Sequence, residues 1–181
     1  MIENLIEVMQ APKNPNEIGN LQGWGYVEEK LGIKLPSDYK EFITVYGRGR
    51  IGDFLWVLNP FSNNTNVNLF DSMEHFQWAY GVSKEKFPED CPRHIFPENH
   101  SLFIWGATDN GDYLFWVYDE NEDPNQWKIG VYDSRAGEES EIFNMNMSSF
   151  LEKLAKNEIE TDAFPEDFLE MKNKKFQTIH T

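Results

Sequence analysis

Cysteine is nearly absent from this chain. Cys91 stands alone among 181 residues, which excludes an intrachain disulfide and leaves no second thiolate for a zinc cluster. A single thiol suits a reducing compartment, and a cytoplasmic location is expected. No apolar run approaches the roughly 18 residues that a membrane-spanning helix needs. The opening MIENLIEVMQ carries Glu3 and Glu7 and lacks a basic start, so it does not read as a signal peptide. The glycosylation-type triplets at Asn63, Asn99 and Asn146 therefore have no secretory context. Basic residues are also scarce, 16 Lys and Arg against 31 Asp and Glu, for a formal net charge of −15. A surface so negative repels phosphate backbones and anionic lipid, so neither nucleic acid nor membrane is an expected partner. It favours a basic protein and speeds association with one, besides keeping the chain soluble.

Apolar residues are not lacking. They make up 40% of the chain, with aromatics at 15%, enough for a core that needs neither disulfide nor metal at this length. One domain is expected. Ile2, Leu5, Ile6 and Met9 fall at helical spacing, and a loop rich in Pro, Asn and Gly follows over residues 11–23. Trp24, Val27, Glu28 and Leu31 continue a helical face that Gly32 stops. Pro36 stands where a first-turn proline belongs, and Tyr39, Phe42, Ile43 and Tyr46 follow at i, i+3, i+4, i+7 until Gly47.

The period then changes. Residues 51–58 read as one strand, closed by Asn59-Pro60. Asp71 is the expected cap of a helix through Met73, Phe76 and Tyr80, and three prolines make residues 87–99 a loop. Two apolar runs, 102–105 and 113–118, flank Asp109-Asn110-Gly111-Asp112, a strong hairpin signal. Strands over 127–132 and 141–145 complete a meander. Ser149 with Glu152 resembles a capping box for a closing helix. An amphipathic turn around Phe164, Phe168 and Leu169 leads to a basic tail with Lys172, Lys174 and Lys175. The expected class is α+β: a central, largely antiparallel sheet flanked by N- and C-terminal helices.

Chemistry-bearing patterns are weak. Gly47, Gly49 and Gly52 spell G-x-G-x-x-G, but helix precedes and strand follows, the reverse of a dinucleotide site, so they read as a helix stop and a turn. Asp119, Asn121 and Asp123 imitate a calcium loop, yet Pro124 replaces the needed glycine and Gly130 the final glutamate. None of His75, His94, His100 and His180 forms a metal-ligand couple. Cys91 and His94, three apart in a proline-rich loop, make a poor nucleophile–base pair. Carboxylates are too abundant to single out a glycosidase pair. No cofactor and no metal are expected, and the chain does not read as an enzyme.

The acids cluster. Asp109, Asp112, Asp119, Glu120, Glu122 and Asp123 occur without an intervening base, and Glu138 and Glu139 follow in the next loop, with Glu141 beyond. Placed on neighbouring hairpin loops they would share one edge of the sheet, and they are the expected partner-binding residues. A further six acids, Glu158, Glu160, Asp162, Glu166, Asp167 and Glu170, sit near the C-terminus.

Trp24-x-x-x-Glu28-x-x-Leu31-Gly32-x-x-Leu35-Pro36-x-x-Tyr39-x-x-Phe42, ending in Tyr46-Gly47-x-Gly49, resembles the opening helix pair of the SUKH superfamily of bacterial immunity proteins and fungal cell-wall-assembly regulators. Phe103-Ile104-Trp105-Gly106, then Gly111-Asp112-Tyr113, is similar to that family's central segment. The resemblance covers about residues 23–157, leaving 1–22 and 158–181 as helical extensions of one domain. It implies an α+β fold without catalytic residues and, for most bacterial members, neutralisation of a cognate secreted or contact-dependent toxin, often a nuclease. The partner would then be a basic toxin, bound by a monomer or weak dimer. It also implies that the motif residues are structural: Trp24, Leu31, Leu35, Phe42 and Trp105 pack, Glu28 bonds backbone, and Gly32 and Gly47 cap helices. The alternative is a regulatory scaffold of cell-wall or signalling machinery.

Overall fold

A computed structural model describes residues 2–179, except for the side chains of residues 138–140. It is a single α+β domain: an antiparallel sheet of seven strands with helices on both faces. Helix α1 (Ile2–Val8) leads through a long loop to α2 (Leu21–Leu31) and α3 (Ser37–Tyr46). Asn20 caps α2 by accepting from the Gly23 N–H at 2.8 Å, and Gly32, at φ +72°, ends it. Pro36 occupies the cap position of α3, one residue earlier than its expected place in the first turn. Strands β1 (Gly49–Ile51) and β2 (Leu55–Val57) come next, then the long α4 (Leu69–Lys86). A four-strand meander follows: β3 (Ser101–Thr108), β4 (Tyr113–Tyr118), β5 (Ile129–Asp133) and β6 (Glu138–Phe143). Helices α5 (Met147–Ala155) and α6 (Glu166–Leu169) precede strand β7 (Phe176–Thr178).

Several expectations are corrected. The single strand over 51–58 is a tight hairpin, because Gly52 and Asp53 both take positive φ, +58° and +56°, and the Phe54 N–H returns to the Ile51 carbonyl. Asn68, not Asp71, caps α4, its carboxamide oxygen accepting from the Phe70 and Asp71 N–H groups. Asn146 likewise caps α5 and Ser149 lies inside it, so the S-x-x-E reading was three residues late. In both cases an Asn one turn upstream offers the short acceptor that the orphan N–H groups need.

The sheet order is β6-β5-β4-β3-β2-β1-β7. Side chains alternate between its faces. Trp105, Trp116 and Phe143 point to the face that α3 and α5 cover, where Tyr39 meets Trp116 at 5.2 Å and Phe150 meets Phe143 at 5.1 Å. Tyr113 and Tyr132 point to the other face, where Phe76 and Tyr80 of α4 lie against them. Gly130 on β5 is roofed by the Phe115 ring; a Cβ there would stand 2.3 Å from Cζ.

Segments near both ends of the described residues are built into this core. The Tyr46 hydroxyl donates to the Met9 carbonyl at 2.5 Å, and Phe176 packs on Tyr46 and Phe42. Gly47 and Gly49 permit two backbone approaches: a Cβ would come within 2.1 Å of the Asn16 carbonyl oxygen at the first and 2.2 Å of the Gln177 oxygen at the second. Buried Arg48 donates to the Ile179 carbonyl and to Glu17. The C-terminal extension is thus not wholly helical. It adds β7 to the sheet beside β1, and its basic tail is partly interior. Lys174 is buried, and its ammonium donates to Asn157 Oδ1 and to the Leu169 and Met171 carbonyls. Burial holds its pKa below the usual lysine value.

Candidate partner-binding surface

In a meander, successive turns fall at opposite ends of the strands, and this divides the acidic residues. The β3–β4 turn, with Asp109 and Asp112, lies at one end of β4, and residues 119–128 leave from the other. The two groups are separated by the six residues of β4, roughly 20 Å. They do not share one edge.

Residues 119–128 form a braced loop. Asp119 Oδ1 accepts from the Asn121 N–H at 2.9 Å, and Asp123 Oδ1 accepts from the Asn125 N–H at 2.9 Å, capping the short 3-10 helix Pro124–Gln126. Asn125 Oδ1 accepts from both the N–H and the hydroxyl of Ser37, tying the loop to the start of α3. Buried Trp127 donates its indole N–H to the Asp119 carbonyl, and Glu120 and Asn99 exchange a reciprocal pair of bonds. Glu120, Glu122 and Asp123 face solvent, and Asp119 is half-buried 3.7 Å from His100 Nδ1.

The opposite end has a different character. Asp112 is fully buried and accepts from the Thr108 hydroxyl and from the Ser134 N–H and hydroxyl. Its carboxylate joins two turns and is closed to a partner. Asp109 is exposed and accepts from the Trp56 indole at 2.7 Å. Glu138 and Glu139 open β6 at this same end, opposite Asp133 and Tyr132, but their side chains lie outside the described part. The C-terminal acidic segment also docks here. Phe54, whose carbonyl accepts from the Asp109 N–H, packs its ring on Phe164 and Phe168. This packing draws the segment that carries the exposed Asp162, Glu166 and Asp167 toward the turn that carries exposed Asp53. This juxtaposition escaped the sequence; Phe164 and Phe168, four apart, were its only trace.

Most of the motif residues are internal, with Gly32 exposed at the end of α2. Trp24, Leu35, Tyr39, Phe42, Tyr46 and Trp105 are buried, Leu31 is half-buried, and Gly106 sits in β3 at the bulge that follows Ile104. Glu28 is a hub: Oε1 accepts from the Leu35 N–H at 3.2 Å and the Lys40 ammonium at 2.7 Å, and Oε2 accepts from Lys34 at 2.7 Å. Burial raises its pKa, but the bonds from Lys34, Lys40 and Leu35 outweigh it and hold the carboxyl below its ordinary value.

Among the described residues no group of three His, Cys, Asp or Glu side chains could hold a metal ion. Cys91 is buried, and burial pushes its thiol pKa up, opposite to what a nucleophile needs. His94 lies beside Glu98 at 3.1 Å. Among the described residues no helix is long and apolar enough to cross a membrane.

These features define a class: a compact α+β domain whose sequence is strongly acidic and whose exposed charges are carried largely on turns and loops. The SUKH_6 family, described as SMI1-KNR4 cell-wall, matches residues 24–151, which is most of the chain. The chain therefore belongs to the SUKH superfamily, whose members include toxin-immunity and SMI1/KNR4-like proteins and are generally non-enzymatic binding proteins. No curated protein and no solved structure matches it.

Proposed function

We propose that this chain is an immunity protein that binds and neutralises a cognate toxin by masking a basic surface. The observation that carries the reading is the 119–128 loop. Its backbone is braced by side-chain hydrogen bonds while Glu120, Glu122 and Asp123 remain in water. Carboxylates held in place before association lose little conformational entropy on binding, and their negative charge speeds encounter with a basic partner of opposite sign. A nuclease toxin fits this chemistry, because its active site is basic in order to hold phosphates. Asp109, at the other end of β4, adds to the overall negative field that attracts a basic partner.

The test is calorimetric titration with a candidate toxin domain, at two salt concentrations. Reversing Asp119, Glu120, Glu122 and Asp123 together should weaken binding at least tenfold and flatten its salt dependence. Unchanged affinity would overturn the assignment of this loop as the interface. The family description favours a second reading, a scaffold for cell-wall or signalling machinery. That reading takes precedence if co-expression with candidate toxin domains gives no protection and no complex.

A further inference from the structure

A second surface, sharing no residue with the acidic loop, lies between α2 and the start of α4. Its floor is the ring of Phe61, which rests on two glycines. A Cβ on Gly19, already at φ +68°, would stand 2.1 Å from Phe61 Cε2, and one on Gly23 would stand 2.9 Å from Cε1. Trp24 meets the same ring edge-on at 4.8 Å. Seated this way, Phe61 forms an open groove of about 520 Å³ with Tyr26, Val27, Pro60 and Phe70.

Tyr26 lines the groove and is 65% exposed, and Trp78, two turns along α4 from Phe70, is 68% exposed. A Tyr left in solvent on the wall of a formed groove is a residue type that dominates binding energy once covered. Glu29 stands one turn beyond Tyr26 on α2, while Asp71, Glu74 and Trp78 share the outer face of α4 at i, i+3 and i+7. All three acids are exposed. Lys30, the neighbouring base, is drawn in over the Phe70 ring, 3.7 Å from its centroid.

We propose that this groove docks a cationic amphipathic helix of a partner protein. The apolar side of that helix covers Phe61 and Tyr26, and its Lys or Arg side chains face Glu29, Asp71 and Glu74. Helix-in-groove recognition needs an apolar trough with aromatic walls, and the rim sets the sign of the charge. A second copy of this chain is the wrong occupant, since two molecules of net charge −15 would bring like charges together. The inference does not depend on the immunity reading; it applies to a toxin or to any other partner presenting such a helix.

The test uses the full chain, isotopically labelled, titrated with a synthetic Leu/Lys amphipathic helix of roughly 15 residues. Its Leu/Glu counterpart and a scrambled Leu/Lys peptide serve as controls. The Leu/Lys helix should shift the amide signals of residues 19–30 and 69–78 and the Trp78 indole. Tyr26→Ala should weaken its binding about tenfold, and so should Asp71→Lys with Glu74→Lys. These positions are exposed, so an unchanged far-ultraviolet spectrum will confirm an intact fold. Charge reversal at Asp119, Glu120, Glu122 and Asp123 should leave the peptide's affinity unchanged. The proposal is overturned if no peptide binds, if the scrambled or acidic peptide binds equally well, or if Tyr26→Ala has no effect. Signals that move at residues 119–128 instead would sink the groove while leaving the acidic-loop reading intact.

Discussion

Replacing Glu28 with Gln removes the charge from a buried hub while keeping its shape. The Gln oxygen can still accept from the Leu35 N–H and from Lys40, so the loss falls on the Lys34 bond, which loses its acceptor, and on the charge in the Lys40 bond, both 2.7 Å in the native protein. A hydrogen bond to a charged group contributes about 1.5–3 kcal/mol when well buried. Here the Lys34 side chain is 77% exposed and Lys40 30%, so solvent screening reduces the first almost to the level of a surface pair. The net cost expected is about 1–2 kcal/mol at pH 7, which for a chain of this length lowers Tm by roughly 2–8 °C. The sign with pH follows from the lowered pKa. A carboxyl lowered in the folded state contributes stability that is present above its unfolded value, about 4.5, and is lost as pH falls through the folded pKa. Urea unfolding of both proteins between pH 7 and pH 3 is the assay. The two curves should differ at pH 7 and converge at the acid end. A difference below about 0.5 kcal/mol at pH 7, the scatter of an ordinary surface substitution, would refute the hub. So would a difference that persisted undiminished at pH 3.

Three further substitutions test the architecture. Gly49→Ala places a methyl 2.2 Å from the Gln177 carbonyl and should cost roughly 1–3 kcal/mol, with faster amide exchange at β7; protection equal to wild type would argue against the close approach. Asp112→Ala should destabilise by about 1–3 kcal/mol in urea, because it orphans Thr108 and Ser134, whereas Asp109→Ala should stay within about 1 kcal/mol; equal costs would contradict the buried placement of Asp112. Asn68→Ala should cost about 1 kcal/mol by thermal unfolding and Asp71→Ala much less; the reverse order would return the α4 cap to Asp71.

The elements whose evidence is local could be read from the chain. The faces of α2 and α3 appear as apolar residues at helical spacing, and Gly32 and Gly47 mark their ends, because periodicity and a positive φ are properties of a few neighbouring residues. The Asn-Gly hairpin and the α+β order were legible for the same reason. Short-range choices between near-equal candidates were less so. Asn68 and Asp71, or Asn146 and Ser149, can each cap a helix, and packing of the helix decides which acceptor meets the free N–H groups. The fate of the charges belonged wholly to the tertiary structure. Chain proximity placed Asp109, Asp112, Asp119 and Asp123 in one group, but a six-residue strand carries the chain along the sheet and separates them, while Phe54 packs on Phe164 and Phe168 from a segment more than 100 residues away. Burial, too, is a sum over distant contacts: Lys174 and Asp112 look in sequence like solvated charges, yet both are interior because the groups that satisfy them come from other turns. Sequence alone determined the helices, the sheet class and the sign of the surface. Which carboxylates face water was decided only when the chain closed on itself.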